Sequence, residues 1–257
     1  SAGPVCLLGI TMTDLKQIFN DRADKLTDHD PWRYGEALSL KGDLIEVSWV
    51  HAHMRESALL DTGCGTGRHC TELSKLHPKV QFDCFDFASN NIKILNKKIA
   101  EEHIENIHAK ACGTDEMWSE YGDKKYDTIV SIGLVQYLTD DKFITYLDEC
   151  HKLLNPEGVL IMKVPTSYLD MFTFDGYSEL LQNRYVSKYR NFQDMSQAVY
   201  PFFDIEKIEQ VFTLANLDRE ELETIEHNKK TRQMWFLLRK KVISERPFEG
   251  VRNPPNR

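Results

Sequence analysis

The sequence has no CxxC pair, no surplus of basic charge and no sign of a membrane segment, and each absence removes a class of function. Six cysteines are present (Cys6, Cys64, Cys70, Cys84, Cys112 and Cys150), and none has the Cys/His spacing of a zinc module. They read as free thiols of a reducing compartment. Asp plus Glu exceed Lys plus Arg by 40 to 32, a net charge of −8. That balance argues against a nucleic-acid partner. The opening SAGPVCLLGI lacks the basic region of a secretory signal and is too short to span a bilayer. The expectation is a cytoplasmic protein. No internal repeat or low-complexity segment interrupts the chain.

What is present is ordinary globular usage: 257 residues, 41% hydrophobic and 28% charged. A chain of this length buries roughly 70–75% of its unfolded surface, so its core needs neither disulfides nor metal. From residue 57 onward, short β-like runs alternate with helical periods. Strands are expected at 57–61, 80–85, 107–111, 126–132 and 159–164. Helices are expected at 68–77, with Leu73 and Leu76 apolar, and at 89–99, 140–154 and 204–214, with a turn at Asn155-Pro-Glu-Gly158. On the helix at 140–154, Phe143, Ile144, Leu147, Cys150 and Leu154 fall on one face, and His151 reads as a surface residue. A strand at 221–226, a turn at Asn228-Lys-Lys and a last strand at 234–238 close the pattern.

This alternation predicts an α/β fold, a doubly wound and mostly parallel sheet with helices on both faces. Residues 1–55 form a helical N-terminal cap, 56–241 the ligand-binding domain and 242–257 a flexible tail. The segment 165–203, rich in Phe and Tyr, reads as packing or as a lid over the carboxyl ends of the strands, where such sheets bind ligands.

The centre of the chemistry is Leu59-Leu-Asp-Thr-Gly-Cys-Gly-Thr-Gly-Arg68, a strand running into a glycine loop that opens a helix. Glycines tolerate positive φ and let a ligand approach the backbone, and the helix start favours a negative group. Asp86 follows Gly63 by 23 residues, near the interval of a carboxylate that grips ribose hydroxyls. Nicotinamide enzymes share this plan, but their third fingerprint position is Gly or Ala. Here it is Arg68, which should block close helix–strand packing, so the dinucleotide reading loses.

DTGCGTGR, then Asp86, then KKYDTIVSIGLVQYLTD and LLNPEGVLIMK resemble the ordered motifs of class I S-adenosylmethionine-dependent methyltransferases. The resemblance covers about residues 57–164 and is weaker through 240. It implies a Rossmann-like, seven-stranded sheet with an antiparallel last strand, and S-adenosyl-L-methionine as cofactor. It also implies roles. Asp61 lies near the methionine amino group, Gly63, Gly65 and Gly67 line the methionine and ribose, and Arg68 pairs with the cofactor carboxylate. Asp86 accepts from the ribose and Phe87 packs on adenine. Gly113 and Thr114 face the adenine edge, where Asp115 replaces the acid that many members carry two or three positions earlier, at Cys112–Gly113. Ile132 to Tyr137 curl past the reactive methyl.

Gln136 and Tyr137 are then candidates to touch substrate, together with Tyr34, Tyr168 and Arg190. The catalytic residue is unknown, with His29, Gln136 and Tyr137 as candidates, of which His29 is the candidate base. His51 and His53 lie two apart without a third ligand, and no acidic trio is present, so no metal is expected. ACGTDEM and the GR after the loop are similar to protein N-terminal α-amine methyltransferases, which leaves the subfamily unassigned. The expected reaction is methyl transfer by in-line displacement to an N or O nucleophile of a small molecule or peptide. The alternatives are a non-catalytic cofactor-binding partner subunit and a tRNA-base methyltransferase. The oligomeric state is not legible.

Overall fold

A computed structural model describes residues 12–25, 36–55, 57–138, 140–165, 205–228 and 231–241. The proposed lid, the tail, His29, Tyr34, Tyr168 and Arg190 lie outside the described residues, as does the side chain of Gln136. Among the described residues no helix is long and apolar enough to cross a membrane.

Seven strands form one sheet: β1 (Ala58–Thr62), β2 (Gln81–Asp86), β3 (Ile107–Ala111), β4 (Tyr126–Ile132), β5 (Leu154–Pro165), β6 (Leu217–Asn228) and β7 (Thr231–Lys240). Their order is β3-β2-β1-β4-β5-β7-β6. β1 to β5 pair in parallel, while β7 is antiparallel to both β5 and β6. The seven-stranded, mostly parallel sheet with an antiparallel last strand is thus the one expected.

Helices α1 (Met12–Lys25), α2 (Glu36–His53), α3 (Arg68–Leu76), α4 (Ser89–Glu101), α5 (Met117–Tyr121), α6 (Asp140–Leu153) and α7 (Ile205–Leu214) accompany the sheet. Successive strand residues point to opposite faces, so a strand covered on both sides must be apolar at nearly every position. Leu59 accordingly packs with Val50, Cys70, Leu73, Ile92 and Leu95 from α2, α3 and α4. Its neighbour Leu60 packs with Met117, Tyr121, Phe143, Leu147 and Phe212 from α5, α6 and α7. The strand order reverses between β1 and β4, which opens a crevice at their carboxyl ends.

The structure departs from local expectation at four points. The turn at 155–158 is a bulge inside β5, where pairing jumps from Tyr126–Leu154 to Thr128–Val159. Asn155 Nδ2 donates to Asp127 Oδ1 at 2.8 Å across that bulge, holding the chain to the sheet. Leu76 and Ile144, expected on apolar helix faces, are exposed. Cys70, Leu73 and Ser74 fill the buried stripe of α3, and Phe143, Tyr146, Leu147 and Cys150 that of α6. His151, expected at the surface, is half-buried near the end of α6. Burial there lowers its proton affinity.

Candidate active site

β1 delivers the chain into Gly63–Gly67 at the crevice, and the loop turns back into α3. Gly65 (φ +56°) and Gly67 (φ +81°) hold left-handed backbone that side chains rarely adopt. The two serve different ends. A Cβ on Gly65 would meet nothing within 4 Å, so open space lies beside the backbone there. One on Gly67 would lie 2.2 Å from Leu95 Cδ1, so this glycine lets α4 pack against the start of α3. Close packing therefore exists despite Arg68. It falls one residue earlier than the fingerprint argument placed it, at Gly67, and its partner is the next helix.

Asp86, at the end of β2, locks this loop. Its Oδ2 accepts from Gly65 N (3.0 Å), and its Oδ1 accepts from Ala88 N (2.8 Å) and Asn91 Nδ2 (3.2 Å). Burial pushes the carboxyl above its usual range against the pull of those three donors. Asp61, on the same face of β1, is pushed up to about 6 by burial; His69 lowers it and the Asp86 charge raises it. Two acids thus share a desolvated corner beside open backbone, an arrangement that favours a cationic or hydroxyl-bearing guest.

Across the crevice, β4 ends at Ile132, and Val135–Tyr137 forms a single 3-10 turn. Tyr137 stands edge-on to Phe19 of α1 (centroids 5.5 Å), and Phe19 stands edge-on to Phe87 (5.1 Å). α1 is fixed there because Asn20 Oδ1 accepts from Asn90 N at 2.9 Å, and Asp24 from Asn90 Nδ2 at 2.7 Å. Three rings from three distant parts of the chain therefore form one aromatic wall.

Below the loop, Glu46 of α2 is buried and pairs with Arg68 Nη2 (2.8 Å), His69 Nε2 and Lys163 Nζ. Burial alone would push its carboxyl up, yet Lys163, His69 and Arg68 hold it well below the usual carboxylate range. The hub ties α2, the start of α3 and the end of β5 together.

With this geometry in view, comparison with known proteins is informative. Residues 59–158 match the family model described as a methyltransferase domain. The 1,6-didemethyltoxoflavin-N1-methyltransferase of Burkholderia thailandensis, solved with its substrate and S-adenosylhomocysteine, superimposes with a TM-score of 0.64 at 18% identity, covering 94% of each chain. Residues 59–158 are thus similar to a methyltransferase domain, and the chain shares the fold of that S-adenosylhomocysteine-bound methyltransferase. Malonyl-acyl-carrier-protein O-methyltransferase of Priestia megaterium is 30% identical over 123 residues, 48% of this chain and 42% of that protein. The matched region spans less than half the length of the curated relatives first in similarity. The (4+2) cyclase SpnF shares the fold equally well, with a TM-score of 0.64 at 14% identity over 94% of this chain and 98% of that one. These likenesses therefore show the fold, and the reaction must be argued from the site.

Within the matched region, Asp61, Gly63, Gly65, Gly67, Arg68, Asp86, Phe87, Ile132 and Tyr137 lie at or just after the carboxyl ends of β1, β2 and β4. Gly113 and Thr114 follow β3, with Gly113 N donating to Glu116 Oε2 at 2.9 Å. Asp115 turns outward and pairs with Lys142 at 3.5 Å. Arg68 has its described ion pair with Glu46. Of the two histidines weighed for metal, His51 shares a 2.7 Å hydrogen bond with His77 and His53 pairs with Glu221 at 3.2 Å. Sequence reasoning missed Phe19, Glu46, His69 and Lys163. Glu46 and Lys163 are 117 positions apart and carry no local motif. For His69, adjacency to the glycine loop was the one available signal.

Proposed function

We propose that the protein is an S-adenosylmethionine-dependent methyltransferase acting on an N or O nucleophile of a small molecule. The observation that carries this is the pairing of Asp86 with Gly65. Asp86 Oδ1 already holds two donors and Oδ2 one, so Oδ2 keeps acceptor capacity for a ribose hydroxyl. The open space at Gly65 lies beside the residue whose N–H donates to that oxygen. Asp61 would face the methionine ammonium, a cation suited to a carboxyl in a desolvated corner. Phe87 would cover the adenine and Gly113 and Thr114 its edge. These residues fit an adenosyl ligand of the kind named for the Burkholderia structure, S-adenosylhomocysteine.

When bound, S-adenosylmethionine supplies a methyl group on a positively charged sulfur, ready for in-line attack. The chain's own task is then alignment and exclusion of water. Asp61 and Asp86 fix the donor from one side, while Phe19, Tyr137 and Phe87 close the crevice from the other. Gln136 and Tyr137, on the turn after β4, stand where an acceptor would approach. Tyr34, Tyr168 and Arg190 are assigned as further acceptor contacts. No described histidine faces the crevice mouth from that turn, which favours an acceptor that loses its proton readily or a base from residues 29–34.

Calorimetric titration with S-adenosylmethionine and S-adenosylhomocysteine, with NADH as control, tests the cofactor. Micromolar binding of both sulfur compounds without NADH is expected. Asp86→Ala should weaken that binding by about 1.5–3 kcal/mol, through loss of a charged acceptor. Unchanged affinity in a folded variant would sink the ribose assignment. Transfer of a labelled methyl to amines or phenols separates an enzyme from a binding subunit, a distinction the SpnF likeness makes necessary.

A further inference from the structure

Three of the chain's cysteines, scattered at 64, 70 and 84 with no metal spacing, meet beneath the glycine loop. Cys64 lies in the loop, and its thiol donates to Gly65 O (3.6 Å). Cys70 lies in the first turn of α3 and donates to Gly67 O (3.5 Å). Cys84 of β2 lies beside Cys70, and its thiol interacts with Cys64 as well. Cys84 is also the register partner of Asp61 across the β1–β2 ladder. One ligand atom each of Asp61, Cys70 and Cys84 lie within 4.8 Å of one another. All four residues are at most 7% exposed.

We propose that Cys64, Cys70 and Cys84, with the Asp61 carboxylate, form a binding site for a soft d10 cation such as Zn2+ or Cd2+, and that its occupancy excludes the adenosyl cofactor. Sulfur-rich donor sets select such ions over Mg2+ or Ca2+, and three sulfurs with one oxygen can satisfy tetrahedral coordination. Metal–sulfur bonds of about 2.3 Å would draw the thiols inward from their present hydrogen bonds. Each thiol that binds gives its proton to solvent, so up to three protons leave per ion. The thiol hydrogen bonds to Gly65 O and Gly67 O are then lost, and the backbone that lines the crevice shifts. Asp61 cannot serve the ion and a methionine ammonium together. The metal half of this proposal stands on the geometry of the thiols and the Asp61 carboxylate, whereas the exclusion half rests on the cofactor reading above.

The test is titration of the reduced, metal-free full chain with Cd2+, followed by the ultraviolet thiolate-to-cadmium charge-transfer band. One equivalent should produce the band, with proton release, and Mg2+ should produce none. Cys84→Ser and Cys70→Ser should each weaken binding at least about tenfold. Cys150→Ala, on the opposite face of the sheet, should leave it unchanged. Where a serine variant does not fold, the wild-type band and its displacement by a chelator still decide. No band, or a band that persists unaltered in both serine variants, overturns the site. Cd2+ at one equivalent should weaken S-adenosylhomocysteine binding at least tenfold. A band with unchanged S-adenosylhomocysteine affinity overturns the exclusion half. A band in a protein that binds no S-adenosylhomocysteine even without metal upholds the site and rejects the cofactor reading.

Discussion

Asp61 and Glu46 are both buried on the same side of the sheet, within reach of the same histidine, yet their acidities move in opposite directions. Glu46 has Lys163, His69 and Arg68 around it, and its carboxyl falls well below the usual range. Asp61 has His69 as its one opposing partner and Asp86 as a like charge, and its carboxyl is pushed up to about 6. Burial is common to both, so the neighbours decide. A carboxylate with several cationic partners fastens elements together, and one left under-compensated is held ready for a ligand.

The contrast can be broken most forcefully at Glu46. Glu46→Ala leaves Lys163 and Arg68 without their buried counter-charge and should cost about 3–5 kcal/mol in urea unfolding. Because the Glu46 carboxyl lies below its unfolded value, its contribution should hold down to the ordinary carboxylate range and fade only in stronger acid. A loss below 1 kcal/mol would mean that solvent already screens the hub.

At Asp61 the sign reverses. A carboxyl whose folded value exceeds its unfolded one weighs against folding wherever it is ionised. That penalty is complete above about pH 6 and gone below the ordinary value of 3.8. Asp61→Asn should therefore stabilise the free protein by up to about 3 kcal/mol at neutral pH, with little effect near pH 4. It should also weaken cofactor binding. Equal stabilisation at both pH values would show that the gain is not electrostatic.

The smallest expected effect sharpens the loop side of the comparison. Gly67→Ala adds a methyl against Leu95 at a left-handed φ and should destabilise by about 1–3 kcal/mol. A Leu95→Ala background is itself destabilised by the lost core side chain. Adding Gly67→Ala there should cost less than in the wild type but not nothing, since the backbone strain remains. Thermal unfolding of both variants reads the difference.

The order of strands and helices was legible because buried strands are apolar at nearly every position and helices repeat every three to four. The glycine loop and Asp86 were legible because their spacing along the chain mirrors a strand–loop–helix–strand path. The turn at 155–158 misled because a Pro-Gly turn signature and a wide bulge use the same residues. Leu76 and Ile144 misled because a helical period assigns a face before it is known how much of that face is covered. Phe19 carried no signal at all: an aromatic in an N-terminal helix looks the same whether it packs under a sheet or walls a crevice.

By itself, the sequence determined the α/β fold, the glycine loop and the place of the acid that ends the next strand, since these follow from local periodicity and from glycine's conformational freedom. Tertiary structure alone decided the Glu46 hub, the Phe19–Phe87–Tyr137 wall and the meeting of Cys64, Cys70 and Cys84. Each joins residues whose separation in the chain carries no pattern. Charge pairing, ring contact and sulfur convergence depend on distances in space, which the parallel crossovers of the sheet set once the strands have found their order.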